Sequence, residues 1–305
     1  MLLEVEAVGK RFGGLTAVSD VSFAVGEGEI VGLIGPNGAG KTTLFNLIAG
    51  TFRVSNGAIR FAGSQISGRR PYQICRLGLC RTFQIVRPFP NLSVLDNVVI
   101  GAFTRVRERR SAYEAAEYIV TATGLERWRD AQARALPIGL RKRVEVARAL
   151  ATQPRMLLLD EVMNGLNPTE LREMMELIRN LNRGGLTILL IEHVMAAVMN
   201  LCQRIVVLHH GEKIADGPPQ AIARDARVIE AYLGEDYLVE CRRHAESRRD
   251  QRALWGPAGL AWGQPRSAPG RGGDHGRRQW RRQDDHHQYD LRIGRVRHGL
   301  DSIPG

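Results

Sequence analysis

The stretch IVGLIGPNGAGKTT, Ile30 to Thr43, decides how this chain folds. Its start, Ile30 to Gly35, is continuously apolar, the composition of a parallel strand covered on both faces. That strand runs directly into GPNGAGKTT, Gly35 to Thr43, which matches the pattern G-x-x-x-x-G-K followed by Ser or Thr, set between a strand and a predicted helix. Gly35, Gly38 and Gly40 let the loop, with Pro36, Asn37 and Ala39, turn backbone N–H groups inward around a phosphate, and the helix N-terminus adds a favourable dipole. Lys41 is positioned to reach the β- and γ-phosphates and Thr42 to ligate Mg²⁺, with Thr43 closing the motif. These residues predict a nucleoside-triphosphate site.

Outward from the loop, strand and helix patterns alternate. VSFAV (Val21 to Val25) alternates apolar with small or polar residues, as a half-buried strand does, whereas MLLLD (Met156 to Asp160) and LTILLIE (Leu186 to Glu192) read as buried strands. SAYEAAEYIVTATGL (Ser111 to Leu125) and GLRKRVEVARAL (Gly139 to Leu150) read as helices. Such alternation argues for an α/β fold on a parallel sheet. The chain has 305 residues, beyond the roughly 100–200 of one domain, so one large domain with a subdomain and a tail is expected. Its apolar runs fall far short of the roughly 20 residues of a membrane span, and MLLEVEAVGK at the start mixes acids with apolars, which predicts a cytosolic chain. Cys75, Cys80, Cys202 and Cys241 show no metal spacing and are expected to be reduced thiols.

Two acids follow the strand that ends in Asp160. An acid at the carboxyl end of a buried parallel strand faces the ligand crevice, so Asp160 is a candidate to hold Mg²⁺ through water and Glu161 to polarise an attacking water. Alone, the pair serves equally well as a helix cap; the upstream phosphate loop favours the catalytic reading. His193, after Leu186 to Ile191, taken in isolation reads as an ordinary loop histidine.

The phosphate loop, Gln84 in RTFQIVRPFPNLSVLDNV, LPIGLRKRVEVARAL, MLLLDEVMNGLNP and His193 in LLIEH occur in the order found in the ATP-binding cassette ATPases of membrane transporters, and the chain resembles that family over about residues 1–235. RFGGLTAVSDVSF, GLNPTE, LLIEHVM and VIEAYLGE are similar to its branched-chain amino acid importer branch. The resemblance implies a cassette over residues 1–240: a parallel-sheet core, an antiparallel β subdomain and a helical signature subdomain at about 70–155. It implies that Phe12 stacks on adenine, Gln84 senses Mg²⁺ and the membrane partner, and His193 contacts the γ-phosphate. It further implies ATP and Mg²⁺ as ligands, a second cassette subunit, two membrane permease subunits, an external substrate-binding protein, and a place on the cytoplasmic face of the membrane. Substrate choice rests with the other subunits in such systems, so the amino acid follows from kinship alone.

This sequence departs from the family's pattern at its signature, usually Leu-Ser-Gly-Gly-Gln, which reads Leu136-Pro137-Ile138-Gly139-Leu140. The serine hydroxyl and glutamine amide are lost, while Gly139 and the helix N-terminus remain to meet a phosphate, so weakened function is expected. Asn167 replaces the usual aspartate of the dimer-contact loop and Val162 the usual proline, which together suggest an asymmetric dimer. In the signature helix, Arg141, Lys142, Arg143 and Arg148 beside Leu140, Val144 and Ala147 read as the solvated or phosphate-facing side of an amphipathic helix. His209 and His210 before Gly211 read as a hairpin turn. NLSVLDNVVI (Asn91 to Ile100) reads as core or as a groove for a membrane subunit. The competing class is a soluble cassette protein acting on nucleic acid or ribosomes.

Charge distribution bears on that alternative. The formal charge is +11, yet residues 241–305 hold 14 Arg, no Lys and 7 acids, leaving 29 basic and 25 acidic residues in positions 1–240. The excess therefore sits in a tail that includes GRRQWRRQDDHHQYD, Gly276 to Asp290. Trp280 must be TGG, and if Arg281 is a CGN codon, reading one base later turns Trp280-Arg281 into glycine. Under the same shift Gln279-Trp280 becomes Asn or Ser, Gln283-Asp284 becomes Lys or Arg, and Asp285-His286 onward becomes Thr or Ile. One permitted reading is GANGAGKTTTI, a second phosphate loop, preceded by GEVAIMV, a plausible strand. The tail is thus expected to be the out-of-frame beginning of an adjacent gene for a second cassette ATPase, with the genuine cassette ending near Glu240, and no nucleic-acid role is expected.

Overall fold

Six strands form the sheet that carries the phosphate loop, and their order in it is not their order in the chain. The computed structural model describes residues 1–82 and 88–232. In chain order the strands are β1 (Leu3–Phe12), β2 (Leu15–Val25), β3 (Ile30–Ile34), β4 (Asn56–Phe61), β5 (Ser64–Gln65), β6 (Leu79–Arg81), β7 (Met156–Asp160), β8 (Thr187–Ile191), β9 (Arg204–His209) and β10 (Glu212–Gly217). The helices are α1 (Lys41–Ile48), α2 (Pro71–Leu77), α3 (Val94–Ala102), α4 (Arg109–Ala122), α5 (Ile138–Leu150), α6 (Pro168–Arg183), α7 (Met195–Leu201) and α8 (Pro219–Ile222). The larger sheet runs β10-β9-β3-β8-β7-β6, parallel except for the β9–β10 hairpin; the smaller, β2-β1-β4-β5, is antiparallel.

The period of two in a strand divides the core. Val31 and Leu33, Met156 and Leu158, Leu189 and Ile191, and Val206 and Leu208 face a cluster closed by α1 and the antiparallel sheet. Their neighbours Ile30 and Ile34, Leu157 and Leu159, Ile188 and Leu190, and Ile205 and Val207 face α5, α6 and α7. A third cluster, Val94 to Ala151, joins α3, α4 and α5. Within residues 70–155, β6 belongs to the larger sheet, paired with β7.

The strands expected at Val21–Val25, Ile30–Gly35, Met156–Asp160 and Leu186–Glu192 are present, as is the hairpin turn at His210-Gly211. Helix α4 stops at Ala122 because Gly124 takes a left-handed φ of 66°. Half of Asn91 to Ile100 is core: Val94, Leu95, Asn97, Val98 and Val99 are buried in α3, while Leu92 and Ile100 are exposed. The solvated reading of the α5 basic residues is corrected: Arg143 and Arg148 are largely enclosed beside Glu173 and Glu145, and the clearest departure is Lys142. Lys142 is buried, its Nζ donating to the carbonyls of Glu161 and Asn164, because its long apolar stem threads between neighbours and delivers the charge to backbone oxygens. Asn167 caps α6, accepting from the N–H groups of Thr169 and Glu170 at 3.0 Å each, while Glu170 returns a bond from the Asn167 N–H. An aspartate caps by the same geometry. Asn167→Ala is therefore expected to lower stability in urea unfolding by about 1 kcal/mol and Asn167→Asp to preserve it; unchanged stability in Asn167→Ala would show that the cap contributes nothing.

Candidate active site

The carboxyl ends of β3, β7 and β8 converge on one cleft of about 380 Å³, lined by Leu15, Thr16, Ala17, Asn37 to Thr43, Glu161 and His193. The loop after β3 has its shape because two glycines occupy places that no side chain fits. Gly40 has a φ of 96° and a Cβ there would lie 2.5 Å from the Ala17 carbonyl; at Gly35 it would lie 2.1 Å from the Leu208 carbonyl. Gly40 precedes α1 with no side-chain cap, so the first N–H groups of that helix are offered to the cleft rather than to a side chain. Lys41, the first helical residue, is buried and spans the loop, donating to the carbonyls of Gly35 at 2.7 Å and Pro36 at 2.9 Å. Burial lowers its pKa, against the pull of Glu161 and Asp160.

Asp160 ends β7 and is buried. Its Oδ2 accepts from Arg81 Nη2 at 2.7 Å, and Arg81 Nη1 donates to Asn46 Oδ1, tying the end of β6 to α1. Burial raises the Asp160 pKa and the Arg81 bond opposes it. Asp160 Oδ1 is buried without a hydrogen-bond partner among the described residues. An acceptor left open in this way suits a hard cation, which takes oxygen ligands.

Glu161 leaves the strand with a φ of 51°, a left-handed conformation rare for a residue with a side chain, and its N–H donates to the Ile191 carbonyl at 3.0 Å. Its Oε1 lies 3.0 Å from His193 Nε2. His193 follows β8, whose Ile191 pairs with Asp160, so register alone delivers the histidine to the carboxylate.

Of the residues singled out in the sequence, Asn37 to Thr43, Glu161 and His193 share the cleft, and Gly35, Pro36 and Asp160 support it. Phe12 ends β1 opposite Leu15, which lines the cleft; its ring meets Phe52 edge to face at 5.3 Å with Lys10 Nζ 4.9 Å above it. Gln84 lies outside the described residues, as does the tail. None of Leu136 to Leu140 lines the cleft: Leu136 and Gly139 are buried, Pro137 caps α5 and Ile138 is exposed. Arg81, Lys142 and Glu192 escaped the sequence reading. Arg81 closes a strand of three residues, too short to be marked in the sequence.

Fold and site together define an ATP-hydrolysing cassette. Residues 18–164 match the family described as ABC transporter, and residues 212–237 match the Branched-chain amino acid ATP-binding cassette transporter family. The chain is 40% identical to the high-affinity branched-chain amino acid transport ATP-binding protein BraF of Pseudomonas aeruginosa, and 41% identical to LivG, of the same description, from Escherichia coli, over 77% of this chain and 98% of each relative. A crystal structure of a nucleotide-free ATP-binding cassette from an ABC transporter superposes with a TM-score of 0.71 at 31% identity, covering 77% of this chain and 99% of that one. The chain belongs to the ATP-binding cassette transporter family. It is the ATPase component of a transporter.

Glu192 beneath this site makes stability depend on pH. It is buried, its Oε1 accepting from the Met163 N–H at 2.8 Å, and burial above all lifts its pKa from 4.5 to about 7. A carboxyl whose pKa is raised in the folded state gives its full contribution below pH 4.5 and loses it as pH rises through about 7. Each tenfold change in proton affinity corresponds to about 1.4 kcal/mol. Glu192→Gln is therefore expected to gain on the wild type by up to roughly 3 kcal/mol between about pH 4.5 and pH 8. Urea unfolding at both ends of that range reads the gain, and a difference independent of pH would refute it.

Proposed function

We propose that this ATPase drives uptake of branched-chain amino acids or related small polar solutes, and that Glu161 is the group that orients the hydrolytic water. The observation that carries the mechanism is the meeting of Lys41, Glu161 and His193 in one cleft. The substrate class is supported by the match at residues 212–237 and by the names of BraF and LivG.

In this reading Phe12 stacks on adenine, and the N–H groups from Gly35 to Thr43 with Lys41 hold the phosphates. Thr42, Asp160 and, outside the described residues, Gln84 would hold Mg²⁺, which when bound neutralises charge on the β- and γ-phosphates. Glu161 accepts a hydrogen bond from the water that attacks the γ-phosphorus, and His193 both steers that carboxylate and contacts the γ-phosphate. ADP and phosphate leave. The signature Leu136 to Leu140 serves the nucleotide of a second cassette subunit, with which this chain forms a heterodimer. Two permease subunits and an external substrate-binding protein complete the assembly, and this chain sits on the cytoplasmic face of the membrane. Among the described residues no helix is long and apolar enough to cross a membrane. Exposed Phe89, Leu92, Ile100 and Phe103, around α3, offer apolar side chains to a permease.

Glu161→Gln is expected to keep ATP binding and lose at least about a hundredfold in turnover of the assembled transporter; unchanged turnover would remove Glu161 from that role. Lys41→Ala should weaken nucleotide binding itself at least about tenfold by equilibrium titration.

The tail belongs to the same proposal. The genuine cassette ends near Glu240, and residues 241–305 are the shifted-frame start of a neighbouring gene whose product is the partner cassette carrying an intact signature. The relatives support this reading, being covered to 98% by 77% of this chain. Resequencing codons 235–305 is expected to reveal an open shifted frame encoding a phosphate loop; early stop codons there would end the idea. A chain ending at Glu240 should bind ATP and assemble as the full chain does.

A further inference from the structure

Helix α5 carries the signature residues in its first turn, and along one face it is fastened to the segment that carries Glu161. Gly139 lies against Glu170, close enough that a Cβ would stand 2.6 Å from its Oε1. One turn on, Lys142 Nζ donates to the Glu161 carbonyl at 3.0 Å and to the Asn164 carbonyl. Arg143 then pairs with Glu173 at 2.8 Å. Positions 139, 142 and 143 are spaced to lie on one side of a helix, so three successive ties hold α5 to residues 161–173.

The middle tie has the chemistry of a built site rather than of a surface ion pair. Lys142 is 6% exposed and Glu192 1%. The charges of Glu192, Glu161 and Glu145 favour the ammonium against its burial, and Glu145 itself lies 3.8 Å from Arg148. Glu192 in turn accepts from the Met163 N–H at 2.8 Å. The turn Glu161 to Asn164 is thus gripped at both carbonyls by Lys142 and at an inner N–H by Glu192, while the Glu161 N–H is held by the Ile191 carbonyl. This grip matters because Glu161 sits at a φ of 51°, a conformation that persists only where its surroundings over-determine it.

We infer that Lys142 is a positioning residue for Glu161: by holding both carbonyls of the turn it fixes the direction of the Glu161 carboxylate and makes the signature helix and the hydrolytic group one rigid piece. The inference rests on the role given to Glu161 above. Lys142 does not line the cleft and spends its Nζ on backbone carbonyls, so its loss should appear in the chemical step and not in nucleotide capture.

The test compares Lys142→Met, Lys142→Arg and Glu161→Gln as full chains in the assembled transporter, reading kcat and KM for ATP together with the equilibrium affinity for a fluorescent ATP analogue. Lys142→Met is expected to lose at least about tenfold in kcat with KM and affinity within about threefold of wild type, and Lys142→Arg, which restores a cation able to donate twice, to recover to within about threefold. Unchanged kcat in Lys142→Met overturns the inference, as does a loss shared equally by affinity and kcat that arginine does not mend. If Lys142→Met does not fold, Lys142→Gln, a neutral donor on a shorter arm, is judged by the same criteria. Normal turnover in Glu161→Gln would remove the underlying role of Glu161; a dead Glu161→Gln beside a fully active Lys142→Met removes only the positioning role.

Discussion

The parallel pairing of β3 with β8 and of β8 with β7 brings three carboxyl ends to one edge of the sheet, and the arrangement of the site follows from that registration. Asp160 stands opposite Ile191, so Glu161, one residue beyond the first, and His193, two beyond the second, leave the sheet within reach of one another. The loop after β3 opens on the same edge and delivers Lys41 and the N-terminus of α1. Side chains scattered over more than 150 positions meet because strand spacing and register leave them nowhere else to go.

A second constraint is electrostatic. Lys41, Lys142, Asp160 and Glu192 are all buried, and taking one such charge from water costs several kcal/mol unless it is met by partners. Each is met differently: Lys41 and Lys142 by pairs of carbonyls, Asp160 by Arg81, Glu192 by a backbone N–H. Backbone groups supply most of the compensation, so the charges are fixed as firmly as the turns that carry them. The same low dielectric that makes burial costly strengthens the field these groups exert on a phosphate.

Legibility in the sequence followed the strength of local signals. β3, β7 and β8 are long apolar runs and β2 alternates, and these were readable, as were the phosphate loop and the turn at His210. β6 has three residues, too few for any periodicity, so the strand that presents Arg81 to Asp160 was invisible, and with it the ion pair. Lys142 misled for a physical reason. An amphipathic pattern assigns every cation to water, but a lysine stem buries as readily as a leucine when carbonyls wait at its end. Asn167 looked like a loss at the dimer contact, and its capping of α6 emerged only once the start of that helix was located. The bulges that shift register along β1 have no sequence signature that period-two patterning detects.

β3 also sets a schedule. It is among the first strands synthesised, yet its two neighbours in the sheet are β8 and β9, whose residues begin at 187 and 204. At roughly 5–20 residues per second of translation, this fully buried apolar strand waits on the order of ten seconds or more with both edges unpaired. The phosphate loop waits with it, because Gly211 donates to the Ala39 carbonyl and accepts from Ser19, clasping the loop to β2 from a turn made about 170 residues later. The chain is therefore exposed to misassembly through most of its synthesis, since the ten described strands are complete only once Gly217 has emerged.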